Sequence, residues 1–450
     1  VVSKYLSFLD ILPAILWFII IFISAITIKS FKRDPIGYKY YIPNILIKLL
    51  FGVFFGAFYL IVYEGGDTTA FFEGALALNN LFFKSPELYF KQMLSEPNPN
   101  QYTVFYDSTT GYPPSWIFRE PEGFFISKIA SIFAFFTLKS YFAMTLFFAT
   151  FTAHASWKVY QLVRSYNFSS NKLLAFGVLF LPSVNFWCTG VAKDSIVFAA
   201  AMYLVYNAFI IISKEHKSKI INYIIVVVMV FLIYHIRSFI LIAIFVPLFF
   251  AVSARFVRLL GGGNMAVVAF RSIILIVGIT AIGQSFILQS EQDFLTSNST
   301  LQQAEIIQKD FQLNETYGDK KYDLGEVEFT SIGLLKIMPL AIVTGVFRPF
   351  IWEALSPSLL MNGLESILFL YFTFFFIRKN LIPKWNLIRG HEFLIFCFIF
   401  VLIIGFMTGL TSILYGVLVR LRAPLLPFLF ILLTMDMSKM LKPKLGIDGK

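Results

Sequence analysis

Long uninterrupted apolar runs recur from one end of this 450-residue chain to the other. Each is about the length a helix needs to cross the ~30 Å hydrocarbon layer of a bilayer. Inside that layer every backbone N–H and C=O must find its partner within the protein, so only helices and closed barrels can cross. A barrel needs alternating segments, and the run 220–232 does not alternate. With 58% apolar and 14% charged residues, the chain carries more apolar surface than one globular core could bury. The expectation is an all-α polytopic transmembrane helical bundle, read as a single membrane domain over 1–450.

The spans expected are 11–28, 45–63, 141–157, 173–187, 194–213, 220–235, 238–254, 271–287, 359–377, 393–412 and 423–437, about eleven in all and up to thirteen if two shorter runs also cross. The first run lacks a basic stretch before it and a small-residue cleavage site after it, so it reads as a retained span rather than a signal peptide. Phenylalanine, 55 residues, reads as lipid-facing bulk.

Charge orients the bundle. The formal net charge of +11 resides mainly in short loops beside apolar runs, where lysine and arginine mark the cytoplasmic side; no nucleic-acid partner is expected. Lys29, Lys32, Arg33 and Lys39 follow the first span and place that loop inside, with the amino terminus outside. The runs 124–138 and 332–347 are then assigned to the outer interface, or to a re-entrant segment in the second case. As spans, they would turn the basic loops around Lys158, Arg164, Arg255 and Arg378 outward. Two outer regions result: a first loop, 64–140, with interfacial helices, and a cap, 288–350, holding a helical stretch at 301–311 and a turn at 317–319. Gly261–Gly263 reads as a linker, and Cys188 and Cys397 have no metal-ligand spacing.

On this topology the out-of-place polar residues share the outer side. Asp67 closes the second span, Lys193 and Asp194 join two later spans, and His235 and Arg237 occupy a short turn. Arg348 and Glu353 follow the second interfacial run, and Arg420 and Arg422 precede two prolines. Transfer of a sugar from a polyprenyl phosphate needs such a set. Fixed cations hold the leaving phosphate, and a carboxylate takes the acceptor's proton. Asp67 is the expected base, and Asp194 orients the acceptor or assists a metal. Lys193, His235, Arg237, Arg348, Glu353, Arg420 and Arg422 form the substrate-binding set. Two carboxylates could hold a divalent ion, but no residue is assigned as a metal ligand and no cofactor is required.

Taken together, these features resemble the GT-C class of membrane glycosyltransferases: an aspartate in the first long outer loop, interfacial helices after it, a second acidic residue at the next outer loop, and Arg420-Leu421-Arg422 before prolines. Glu120-Pro121-Glu122-Gly123-Phe124 looks like the Glu-Pro-Gly-aromatic feature of EpsG-like polysaccharide-biosynthesis membrane proteins. The chain departs from them at Val191-Ala192-Lys193-Asp194, where an Arg-Gln pair is usual. The resemblance implies a GT-C-like bundle in a bacterial inner membrane with an extracytoplasmic active face. Its partners would be a polyprenyl-phosphate-linked sugar, membrane lipid, and a glycan or lipid acceptor of the cell envelope. The alternatives are an O-antigen-type polymerase or ligase resting on Arg420 rather than Asp67, a transporter, or a non-enzymatic component of a secretion or envelope complex. Against transport stands the reading that the central parts of the spans carry almost no ionisable residues.

Overall fold

The computed structural model describes residues 5–27, 38–212, 218–291, 321–325, 327, 331–378 and 381–436. The helical stretch 301–311, the turn 317–319, and Lys29, Lys32 and Arg33 lie outside them. Helices dominate the described residues, and an isolated bridge joins Lys321 to Leu414. In chain order the helices are α1 (Phe8–Ile26), α2 (Tyr41–Val62), α3 (Asp67–Lys84), α4 (Pro86–Leu94), α5 (Pro121–Ala134), α6 (Tyr141–Tyr166), α7 (Asn171–Leu179), α8 (Pro182–Trp187) and α9 (Lys193–Ile212). Then follow α10 (Ile220–Arg237), α11 (Phe239–Leu259), α12 (Asn264–Glu291), α13 (Ser331–Phe347), α14 (Pro357–Arg378), α15 (Leu381–Gly390), α16 (Glu392–Thr411), α17 (Tyr415–Leu421) and α18 (Leu426–Thr434).

Seven of the described helical segments are long and apolar enough to cross a membrane: α2, α9, α10, α11, α14, α16 and the α17–α18 stretch. Their surfaces agree with that use. On α10, Ile221, Ile224, Val228 and Phe231 recur at helical spacing and are all exposed, a stripe suited to lipid and not to water. These segments answer seven of the eleven expected spans, and of the other four, 141–157 and 173–187 differ for identifiable reasons. The run 11–28 falls in α1, a 19-residue helix whose side chains are described without a break over Asp10–Ile26. The run 141–157 lies in α6, whose apolar face is interrupted by buried hydroxyls that bond back to their own helix, such as Thr145 to Tyr141 O at 2.9 Å and Ser156 to Thr152 O at 2.9 Å. The run 173–187 is not one helix. Pro182 has no N–H to donate and holds Leu181 in extended backbone (ψ 120°), so the chain breaks between α7 and α8. The run 271–287 falls in α12, whose side chains are described as far as Gly278.

The chain divides into two compact units, 1–161 with 179–237 and 162–178 with 238–450. In the first, α3 and α5 lie parallel in constant register. Phe71 faces Gly123, Gly74 faces Ser127, and the Phe82 and Phe135 rings meet at 4.9 Å, so partners are always 52 or 53 positions apart. α9 and α10 form an antiparallel hairpin, with Asn222 bonding Asn207 at one end and Arg237 meeting Asp194 at the other.

In the second unit, α13 crosses α16 at a small-residue contact. A Cβ on Gly345 would lie 1.9 Å from Gly405 O, and one on Gly409 would lie 1.9 Å from Ala341 O. Ala341-x-x-x-Gly345 and Gly405-x-x-x-Gly409 thus oppose each other, the pattern that brings membrane helices into backbone contact. An Arg255–Glu392 ion pair at 2.6 Å ties α11 to α16. Phe396 and Phe400 pack edge-on against Phe428 of α18.

Candidate functional site

The residues singled out from the sequence fall into two groups, one in each unit. In the first unit, the backbone after α2 turns through Glu64, Gly65 and Gly66, with φ of 52°, 119° and 102°. Two consecutive glycines accept that left-handed path at little cost. The turn delivers Asp67 to the first position of α3, where it is exposed. Gly66, not Asp67, occupies the capping position, so the aspartate does not serve as the cap. The partial positive charge of a helix amino terminus suits an acidic side chain there.

The constant register of α3 against α5 has a direct consequence. Asp67 and Glu120 are themselves 53 positions apart, so the helix starts they mark lie at the same end of the pair. Pro121 opens α5 and Glu120 immediately precedes it. Gly123 leaves room for the Glu120 carboxylate to fold back, since a Cβ there would sit 2.5 Å from Oε2. From this position Glu120 accepts from Lys193 Nζ at 3.0 Å, and Glu122 stands at 3.9 Å from the same ammonium. Lys193 and Asp194 open α9. Asp194, 4% exposed in its side chain, pairs with Arg237 Nη1 at 2.5 Å. The carboxylate lies at a helix start and the guanidinium at a helix end, so both backbone dipoles reinforce the pair.

His235 is exposed, stacks on Phe125 at 5.1 Å and bonds its own helix at Phe231 O at 3.0 Å. It is a packing residue on the flank of the row. Between Trp187 and Lys193 the backbone is irregular and buried, pressed against α2: a Cβ on Gly190 would fall 1.9 Å from a Phe55 ring carbon. Within that turn, burial pushes the Cys188 thiol up, which keeps it protonated.

No family model, curated protein or solved structure matches the chain. The geometry of its own residues therefore carries the functional argument.

In the second unit, Arg348 Nε pairs with Glu353 Oε1 at 3.1 Å, and its guanidinium faces the Tyr322 ring at 5.7 Å. The other Glu353 oxygen accepts from Phe350 N at 2.8 Å. Arg422 is fully buried, donates to the carbonyls of Val346 at 3.2 Å and of Arg348, and reaches Asn362 Oδ1 at 3.5 Å. It closes the carboxyl end of α13, whose last carbonyls need donors. A guanidinium so engaged is a structural strut, a different use from the phosphate grip expected of it. Arg420 Nε bonds back to Gly416 O at 3.1 Å within its own helix.

Among the described residues, no group of three or more His, Cys, Asp or Glu could hold a metal ion. Three residues escaped the sequence reading. Glu120 and Glu122 were visible as part of a motif, but nothing in sequence linked them to Lys193. Lys48, a lysine inside the run 45–63, was readable as an intramembrane charge, one of the few that the reading of nearly charge-free span interiors leaves room for.

Proposed function

We propose that this protein is an integral-membrane glycosyltransferase that moves a sugar or oligosaccharide from a polyprenyl-phosphate carrier to an acceptor at the extracytoplasmic face. The observation that supports this reading is a row at four helix ends: Asp67, level with Glu120 by the α3–α5 register, then Glu120, Glu122, Lys193, Asp194 and Arg237. Asp67, exposed and at a helix start, is the general base for the acceptor hydroxyl. Lys193, held forward by two carboxylates, meets the leaving phosphate. The Asp194–Arg237 pair fixes the start of α9, and through it Lys193, and so acts by positioning.

The balance of charge refines the reading. Four carboxylates face two cations in this row, so a phosphate alone would be poorly matched to it. Acceptor hydroxyls, which donate to carboxylates, suit it well, and a divalent ion accompanying the carrier phosphate would restore the balance. The polymerase-type alternative rests on Arg420, whose Nε is engaged by the Gly416 carbonyl of its own helix, and it is the weaker reading.

The test is transfer of radiolabelled sugar from polyprenyl phosphate by the purified chain in lipid, with and without magnesium. Asp67→Asn should lower turnover by roughly 10²–10⁴-fold at unchanged thermal stability, the range for removing a general base. Full activity in Asp67→Asn together with loss in Arg420→Ala would reject this assignment in favour of the polymerase type.

A further inference from the structure

Lys48 lies in α2, seven residues from its start and fourteen from its end, or about 10 Å and 21 Å along the helix. Its side chain is 0% exposed. At that depth a lysine of ordinary length does not reach an aqueous surface as lysines near span ends do. The Nζ atom makes no hydrogen bond and lies over the Phe198 ring at 5.3 Å. A ring face offers an ammonium some attraction but none of the three acceptors that it would have in water.

The surroundings do not supply the missing charge. Cys188 is within electrostatic range of Lys48 on one side and of Asp194 and Arg237 on the other. Asp194 is already matched by Arg237 at 2.5 Å, which leaves Lys48 as the unbalanced charge of this group. Other polar atoms there are also unsatisfied. Asn44, one turn before Lys48 on α2, leaves Oδ1 unbonded, and Asn185 on α8, the helix packed against α2, leaves both Oδ1 and Nδ2 unbonded. Buried polar atoms in membrane helices are costly unless matched, and several of them on the two packed helices that flank an unbonded cation point to a ligand that completes it.

We infer that Lys48 anchors an internal anion-binding site in the first unit, which takes a small inorganic monoanion such as chloride or dihydrogen phosphate. The ammonium supplies the charge, the Asn185 amide adds an N–H donor, and the irregular backbone from Cys188 to Ala192 forms the adjoining wall. Irregular backbone within a membrane bundle occurs where it is buried in protein or lines a polar cavity. The site is independent of the glycosyl-transfer reading, and its test needs no activity.

The full chain, purified in detergent with gluconate as the bulk anion, is unfolded thermally while sodium chloride or sodium phosphate replaces gluconate at constant ionic strength. The expected result is a saturable rise in Tm with at least one of the two anions, because a ligand bound only by the folded state stabilises it. Which anion acts identifies halide or phosphate chemistry. Lys48→Met should abolish the rise and, having no buried charge to match, should unfold at a higher temperature than wild type in gluconate. Lys48→Arg, which keeps the cation, should retain the response. A wild-type Tm indifferent to both anions would overturn the inference, and so would a Lys48→Met protein with the wild-type response.

Discussion

Asp194 and Arg237 provide the sharpest test of how the first unit is held together. Their atoms meet at 2.5 Å, with side chains 4% and 16% exposed, at the open end of the α9–α10 hairpin. Two unit charges about 4 Å apart interact by ~4 kcal/mol at an effective dielectric constant of 20. Replacing either partner forfeits that attraction and strands the other charge where water reaches it poorly. For buried pairs this costs about 3–5 kcal/mol, and the partial exposure of Arg237 puts the expectation near the lower figure. Asp194→Asn and Arg237→Gln should each destabilise by about 3 kcal/mol. The double variant, which strands no charge, should lose no more than either single one, so the coupling is at least about 3 kcal/mol. The assay is reversible unfolding in mixed micelles of all four proteins, read by tryptophan fluorescence. Additivity to within ~0.5 kcal/mol, the usual behaviour of independent sites, would refute the argument. It would also free Asp194 for the direct role that its sequence position first suggested.

The same reasoning reaches other places in the fold. Gly409→Ala puts a methyl where Ala341 O already stands, 1.9 Å away, and should force α13 and α16 apart at a cost of about 1–3 kcal/mol, measured by unfolding in micelles. Arg422→Met should cost about 3 kcal/mol, because it leaves the Val346 and Arg348 carbonyls without their donor; an unchanged unfolding midpoint would show that the strut is unnecessary. Lys128 of α5 donates to Ser95 O at 2.6 Å just past the end of α4, and burial pushes its pKa down to about 8. The unfolded chain keeps that proton up to about pH 10.4, so between the two values it binds more protons than the folded protein and stability rises with pH. Lys128→Met should flatten that rise in a pH series of unfolding curves.

What the sequence conveyed and what it withheld follow from the range over which each signal acts. Apolar runs are local, and 194–213 or 393–412 could be read as helices because no other structure satisfies their backbone in lipid. The break at Leu181–Pro182 was equally local and could have been read, since a proline with its restricted neighbour sat inside a run taken as continuous. The α13–α16 crossing left its mark as two small-x-x-x-small patterns, but their opposition is tertiary. Charges behave differently again. Arg422 and Arg237 look alike in sequence, each a cation at the end of an apolar run. One is consumed by the carbonyls at the end of a helix and the other by a buried aspartate. Placement on one side of a membrane says that charges can meet, and only the fold says which have already met.

That distinction bears on Asp67. Several charged residues singled out from the sequence are tied into the fold, whether closing a helix, pairing across a hairpin or bonding back to the preceding turn. Asp67 is exposed at the start of α3, and the capping role belongs to Gly66. An ionised carboxylate at a helix start is stabilised there by at most ~1 kcal/mol at the surface, an advantage that any acidic residue in the first turn would share. The two left-handed glycines hold that helix start at the same end as Glu120 and the Lys193 it pairs with. A carboxylate presented beside that row is placed to take a proton from an acceptor hydroxyl. On this argument Asp67→Asn should lower transfer far more than any change in its unfolding midpoint accounts for.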